Sequence, residues 1–314
     1  MKIRTFMSIN NHTPHVLLSR ALFLEAQALG LPSAIQERFG RQRIMAPLLG
    51  FYSTADIPLW RVGTLTGEEY VDEDVLNAML EMDYLWLCSQ NSGVPGQLLL
   101  PTSFYNAASV LYTQSPRMYF ANLCDVRERL AGLELGGFGF VVCRDSHYTG
   151  YNYNKTAQLR HYDSLGGAPI PGIEEIINWV LDGLTLPRIT SVESDIGPLQ
   201  SNDSGSCGLA VESFLAAGAG IPRKRWSQGQ SGMRRGEWIH RFVEYHMHCF
   251  SKGVSLPFVF VALCCSTYHV IRLANPTDGL LWTHDVLYYS TTWWWMKKLG
   301  MVSSTTITTC TTSM

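Results

Sequence analysis

Short apolar runs and amphipathic stretches alternate along the second half of the chain. Residues 138–143 form a short apolar run between Gly137 and a polar stretch, which is typical of a buried strand. His147–Tyr153 is rich in Tyr and Thr, and residues 159–162 alternate in polarity after a polar turn. The pattern therefore predicts three consecutive strands joined as an antiparallel meander.

Three helices and one further strand are predicted after this meander. Pro171 opens a helix whose apolar residues recur at helical spacing, namely Ile173, Ile176, Ile177, Val180 and Leu181. A short strand is expected at residues 188–192, and a helix from residue 206 or 207 to Ala217, closed by Gly218. Residues 237–250 place their apolar side chains on one helical face and are predicted to end the domain.

The first half of the chain shows weaker periodicity. Residues 16–29 have apolar residues at near-helical spacing and predict one helix. A second helix is expected to start near Asp72, because acidic residues there precede an apolar stripe and favour a helix N-terminus.

Composition narrows the class of protein. The 314 residues, 46% of them hydrophobic, suffice for a sizeable core. The formal net charge of −2 lacks the basic excess that a nucleic-acid binder uses to neutralise phosphates, so no nucleic-acid partner is expected. The N-terminus has no long apolar signal region, and the 8 cysteines show no CxxC spacing or disulfide density. An intracellular protein of the nucleus or cytoplasm, with reduced thiols, is predicted.

Residues 254–271 are largely apolar and nearly as long as a membrane span. They include Pro257, Tyr268, His269 and several hydroxyl residues, each of which would add cost at mid-bilayer. A strand-rich or poorly ordered tail is therefore expected rather than a transmembrane helix, and no membrane partner is expected.

Three residues are candidates for thiol chemistry. A thiol attacks a carbonyl as a thiolate, which a helix N-terminus and a neighbouring protonated histidine both stabilise. Cys207 is predicted to lie at a helix N-terminus. His147 begins one predicted strand and Asp163 ends the next, so antiparallel pairing brings the two residues together.

Gln200 lies shortly before Cys207 in the chain. A side-chain amide held there could donate to an oxyanion, beside the backbone N–H of Cys207. His147, Asp163, Gln200 and Cys207 thus form an ordered set on matching predicted elements.

These residues resemble a known family. Residues 200–208 are similar to the Gln-x-Asn-x-x-Asp/Ser-Cys-Gly signature of the ubiquitin-like-protein proteases, the group of SUMO and NEDD8 proteases related to adenovirus protease. His147-Tyr148 is similar to the family's His-Trp strand, and residues 161–165 to its Tyr-Asp-Ser-Leu strand end. Residues 65–76 resemble the family's substrate-binding segment.

The resemblance implies an α+β cysteine-peptidase fold, with a central, mainly antiparallel sheet packed against a helix that carries Cys207 at its N-terminus. The protease domain is expected at residues 59–250, after a partly helical N-terminal extension at 1–58 and before an atypical tail at 251–314. Cys207 is the implied nucleophile and His147 its base. Asp163 orients the base, and Gln200 completes the oxyanion hole.

The implied activity is hydrolysis of peptide or isopeptide bonds after the C-terminal tail of a ubiquitin-like modifier, without a cofactor or metal. The partner is then the modifier or its conjugates. Two alternatives remain open from the sequence. One is a catalytically silent module that binds a ubiquitin-like protein, and the other is a Cys-dependent acyltransferase of the same fold.

The implied substrate-binding residues are Tyr70, Tyr148 and Glu73. The chain departs from the family here, because Tyr70 and Tyr148 stand where the family usually has Trp. The family's Trp rings cover a narrow tunnel for a Gly-Gly tail, so a different modifier tail is expected. The loop from Gln200 to Cys207 is also one residue longer than the usual signature.

Overall fold

The computed structural model describes residues 2–43, 45–51, 57–90, 96–114, 121–132, 136–201 and 204–252. These residues all belong to one compact unit, Met1–Val270. The predicted C-terminal tail and its membrane alternative lie outside the described residues, apart from residues 251 and 252. Within the described ranges, no helix has both the length and the apolar character needed to cross a bilayer.

The described part contains eight α helices, two 3-10 helices at Leu59–Thr66 and Gln228–Gln230, and five strands. The helices are α1 Lys2–Ala28, α2 Ser33–Gly40, α3 Glu73–Gln90, α4 Ser103–Gln114, α5 Ala121–Gly132, α6 Ile173–Leu181, α7 Cys207–Gly218 and α8 Ser231–Ser251. The strands are β1 Gln97–Leu100, β2 Gly137–Arg144, β3 His147–Tyr153, β4 Gln158–Tyr162 and β5 Ser191–Ser194.

The strands form one sheet in the order β1-β2-β3-β4-β5. The pairs β2–β3 and β3–β4 are antiparallel, which confirms the predicted meander. The outer strands β1 and β5 run parallel to their neighbours, so the sheet as a whole is mixed. A tight turn joins β2 to β3, with φ of 49° at Asp145 and 59° at Ser146. Positive φ at both central residues is the geometry that suits the twist of a two-residue hairpin.

Most predicted elements are present with small shifts. The predicted helices after Pro171 and at Cys207 are α6 and α7. The first strand of the meander, β2, extends one residue beyond the apolar run at each end. β5 starts three residues later than the strand predicted from residue 188, and α8 starts at Ser231 rather than at residue 237. β1, α2, α4 and α5 were not predicted.

The sheet has a hydrophobic cluster on each face. One cluster includes residues of α3, α7 and α8, and the other includes residues of α4, α5 and α6. Two glycines of the sheet lie under α7. A Cβ at Gly150 would be 2.9 Å from a ring carbon of Phe214, and one at Gly139 would be 2.9 Å from a methyl of Leu215. Because glycine has no side chain at either position, α7 lies close against β2 and β3.

Described residues that precede the 3-10 helix at Leu59–Thr66 contribute to the same core as α7 and α8. Leu22 and Ala26 of α1 are buried in that cluster, as are Leu48 and Phe51. The described part of the extension predicted for residues 1–58 therefore packs into the core of the predicted protease domain.

A buried group of charges links α7 to the helices around it. Asp83 of α3 and Glu212 of α7 are almost fully buried, and both accept hydrogen bonds from Arg223. Arg241 of α8 also donates to Asp83, at 3.2 Å. Buried charges persist only when they are paired, so these contacts hold α3, α7 and α8 in one arrangement.

Candidate active site

His147 and Asp163 lie side by side at one end of the sheet. His147 is the first residue of β3, and Asp163 directly follows β4, which pairs antiparallel with β3. The His147 Nε2 atom is 2.7 Å from Asp163 Oδ1. That carboxylate oxygen also accepts the backbone N–H of Leu165, at 2.7 Å. The bond from Leu165 fixes the carboxylate, and the carboxylate in turn fixes the plane of the imidazole.

The surroundings of His147 favour its protonated form. Burial lowers the pKa of His147, but the hydrogen bond with Asp163 and the nearby Cys207 thiol outweigh burial and raise it to about 9. Burial raises the pKa of Asp163. The hydrogen bonds that its carboxylate accepts from His147 and from the Leu165 N–H outweigh burial and bring this pKa below its usual range. The pair is therefore an imidazolium and a carboxylate at neutral pH.

Cys207 is the first residue of α7, as predicted, and it is 2% exposed. Its thiol lies close enough to His147 to raise the pKa of that imidazole. Backbone N–H groups in the first turn of a helix have no acceptor within the helix, and they favour negative charge nearby. An imidazolium next to a thiol also favours the thiolate. The site thus provides both conditions for a nucleophilic sulfur.

Gln200 reaches the site through Ser164, the neighbour of Asp163. Its backbone N–H donates to the Ser164 carbonyl at 2.8 Å, and its side-chain Oε1 accepts the Ser164 hydroxyl at 3.2 Å. Because Oε1 is used in this way, the amide nitrogen of Gln200 remains available as a donor. The extra residue in the loop before Cys207 therefore leaves Gln200 tied to the segment that follows Asp163.

Tyr70 and Tyr148 stack on each other, with ring centroids 4.9 Å apart and an angle of 23° between the planes. The Tyr148 hydroxyl donates to the Val71 carbonyl at 3.3 Å, and the Tyr70 hydroxyl lies 3.6 Å from Cys143 Sγ. Burial raises the pKa of both phenols, which stay neutral. A ring carbon of Tyr148 would lie 3.4 Å from a Cβ at Gly208, so the stack adjoins the residue after the nucleophile.

Glu73 lies near this stack. It is the first residue of α3, and its carboxylate accepts the Thr102 hydroxyl at 2.5 Å. Its charge raises the pKa of Tyr148, although burial is the larger cause. The structure therefore brings His147, Asp163 and Cys207 together, with Tyr148 beside them.

Two residues near the site were not predicted. Cys143 is the cross-strand partner of Tyr148, so both side chains lie on the same face of the sheet. The short hairpin between β2 and β3 was the signal that could have identified Cys143. Arg235 of α8 is buried and reaches the loop before Cys207. Its contacts are all distant in sequence, so no local pattern marks it.

No family model matches the sequence, and no curated protein matches it. Solved structures do match. The C-terminal Ulp1 protease domain, solved in complex with SMT3, the yeast ortholog of SUMO, is 13% identical with a TM-score of 0.52. That match covers 69% of this chain and 96% of the other.

The Chaetomium thermophilum Ulp1-like SUMO protease catalytic domain is also 13% identical, with a TM-score of 0.51, and the match covers 68% of this chain and 90% of that domain. A structure of SUMO protease Ulp1 with its catalytic cysteine oxidised to a sulfenic acid gives the same identity and TM-score, with 70% and 94% covered. The chain therefore has the fold of the Ulp1-like SUMO proteases, as its resemblance to the ubiquitin-like-protein proteases predicted.

Proposed function

We propose that this protein is a cysteine peptidase that hydrolyses peptide or isopeptide bonds after the C-terminal tail of a ubiquitin-like modifier. The observation that carries the proposal is the hydrogen-bonded pair of His147 and Asp163 with the Cys207 thiol beside the imidazole, an arrangement formed by a helix N-terminus and two strand ends. A thiol, a protonated imidazole and an orienting carboxylate are the components of a thiol nucleophile with its acid–base partner.

In the proposed reaction, the Cys207 thiolate attacks the carbonyl carbon of the scissile bond. The backbone N–H of Cys207 and the amide of Gln200 bind the resulting oxyanion. His147 then gives its proton to the leaving amine, and a thioester remains on Cys207. A water molecule, deprotonated by His147, attacks that thioester. The tetrahedral intermediate collapses with cleavage of its C–S bond, which restores the imidazolium–thiolate pair. The modifier leaves as a carboxylic acid that loses its proton to solvent.

A ubiquitin-like partner is the substrate class that the comparisons favour, since a neighbour of the same fold was solved with SMT3. Tyr70 and Tyr148 would line the channel for the modifier's tail, with Glu73 beside them. Water as the final acceptor distinguishes this proposal from acyl transfer, and turnover distinguishes it from a silent binding module. Action inside the cell, in the nucleus or cytoplasm, stays a prediction.

A covalent probe tests the nucleophile. We expect a ubiquitin-like probe with a C-terminal electrophile to form an adduct at Cys207, because His147 and the start of α7 both favour its thiolate. Peptide mapping by mass spectrometry identifies the labelled residue. Cys143→Ser is the matched control, since that thiol lies close to the site but has no imidazole partner in the proposal. Labelling that persists in Cys207→Ser would contradict the assignment.

The pH dependence tests the general acid. With a His147 pKa of about 9, the imidazolium dominates below that pH and is lost above it. We therefore expect kcat/KM of the wild type to fall on the alkaline side with an apparent pKa of about 9. Asp163→Asn removes the carboxylate that raises this pKa, so the alkaline limb should move to lower pH and kcat should drop by about 10³- to 10⁴-fold. An unchanged limb in Asp163→Asn would assign the titration to another group.

The amide of Gln200 is expected to act on the oxyanion alone. Gln200→Ala should lower kcat by about 10²- to 10³-fold with little change in KM, because an oxyanion donor acts mainly in the transition state. Ser164→Ala is the control, since it removes only the hydroxyl that holds Oε1 and should cost less. If Gln200→Ala raises KM and leaves kcat unchanged, Gln200 binds the substrate instead.

The tyrosine stack is expected to influence the choice of modifier. A peptide between two aromatic rings needs a centroid separation of about 7 Å, twice a van der Waals contact, whereas the rings of Tyr70 and Tyr148 are 4.9 Å apart. The two rings must therefore move apart before the tail of a modifier can pass between them. Tyr148→Trp, alone or with Tyr70→Trp, should shift kcat/KM toward Gly-Gly tails by restoring contact area. The measurement compares SUMO, NEDD8 and ubiquitin reporters, and constant ratios among the three would exclude this role.

A further inference from the structure

Arg235 joins three separate segments around the proposed active site. Its guanidinium donates to the carbonyl of Glu69, at 2.7 Å, and to that of Gly205, at 3.3 Å. It also donates to the carbonyl of Thr64, at 3.5 Å. Thr64 lies in the 3-10 helix, Glu69 precedes Tyr70, and Gly205 lies two residues before Cys207. The Arg235 side chain thus contacts both the segment at Glu69 and Tyr70 and the loop that ends at Cys207.

These two segments lie in direct contact where Arg235 joins them. The backbone N–H of Gly205 donates to the carbonyl of Glu68 at 3.1 Å. A Cβ at Gly205 would be 2.3 Å from the backbone nitrogen of Tyr70, so only glycine allows this approach. The position of the loop before Cys207 therefore depends on the position of the segment that carries Tyr70.

The charge of Arg235 is buried and lies near the nucleophile. Arg235 is 2% exposed. Burial lowers the pKa of Arg235, while the nearby Glu68 and Cys207 raise it. An arginine keeps its charge at neutral pH even when buried. A positive charge beside a thiol stabilises the thiolate, as the imidazolium of His147 also does.

We propose that Arg235 is a positioning residue, which holds the Cys207 loop and the Tyr70 segment at a fixed separation and adds a buried positive charge beside the nucleophile. The proposal rests on the proposed function of the site. Its two parts are separable, because lysine keeps the charge but lacks the planar fork needed to reach several carbonyls at once. An apolar side chain of similar length removes both the charge and the hydrogen bonds.

The neighbouring Arg234 is a matched control. It is also buried on α8, at 6% exposed, but it donates to the Lys224 carbonyl and to Glu237. Neither acceptor belongs to the proposed site. Arg234→Lys and Arg234→Met therefore report what the loss of a buried arginine of α8 does to stability alone.

The experiment measures three quantities for Arg235→Lys, Arg235→Met and the two Arg234 variants: the melting temperature, the rate at which iodoacetamide alkylates Cys207 at pH 7, and kcat and KM on a modifier reporter. We expect KM to rise about tenfold in both Arg235 variants, the typical effect of losing a charged hydrogen bond. Alkylation should stay near the wild-type rate in Arg235→Lys and fall about tenfold in Arg235→Met. The Arg234 variants should change neither quantity.

A wild-type KM in Arg235→Lys would overturn the positioning role. A wild-type alkylation rate in folded Arg235→Met would overturn the role of the charge. If both Arg235 variants unfold while the Arg234 variants remain folded, Arg235 is needed for folding alone and the proposal is wrong. If the wild type cleaves no modifier reporter, the proposed function fails. The alkylation rates still test Arg235 in that case, because they require no substrate.

Discussion

The close contact between α7 and the sheet is the constraint on which the proposed site depends. Gly139 and Gly150 have no side chains under α7, so Leu215 and Phe214 fill the space above them. α7 begins at Cys207, and β3 begins at His147. A helix held at this distance from the sheet brings a thiol at its N-terminus to an imidazole at a strand end. A larger side chain at either glycine would displace the helix and with it the thiol.

Electrostatic interactions then determine the protonation of the group. Burial alone would make His147 a neutral base, yet its pKa is about 9 because Asp163 and Cys207 both stabilise the imidazolium. Asp163 can act in this way because the Leu165 N–H binds its carboxylate, so the charge is not left unpaired. Arg235 of α8 adds a second positive charge near Cys207, and the nearby Glu68 stabilises that charge. The nucleophile therefore lies near two positive groups, each held by hydrogen bonds to other segments.

The sequence alone determined the elements whose signal is local. β3 and β4 were predicted because their composition and alternation suit strands, and α6 because its apolar stripe has helical spacing. Antiparallel pairing across a short turn then implied that His147 and Asp163 meet. The start of α7 at residue 206 or 207 was predicted from the Ser/Gly-rich residues 201–205 before it, and its end from Gly218. β1, α4 and α5 were missed, and in β1 the four buried residues are too few to show a period.

Only the tertiary structure decided the features that depend on residues distant in the chain. β1 pairs in parallel with β2, and β5 pairs in parallel with β4. Helices separate the two strands of each pair along the chain, and no local pattern specifies such a partner. The same holds for the contact of Tyr70 with Tyr148, and for Arg235, whose acceptors lie 30 to 171 positions away. A sequence pattern reports which face of an element is buried, because that depends on the element's own period. Which side chains meet on that face is decided by the packing of whole elements against one another.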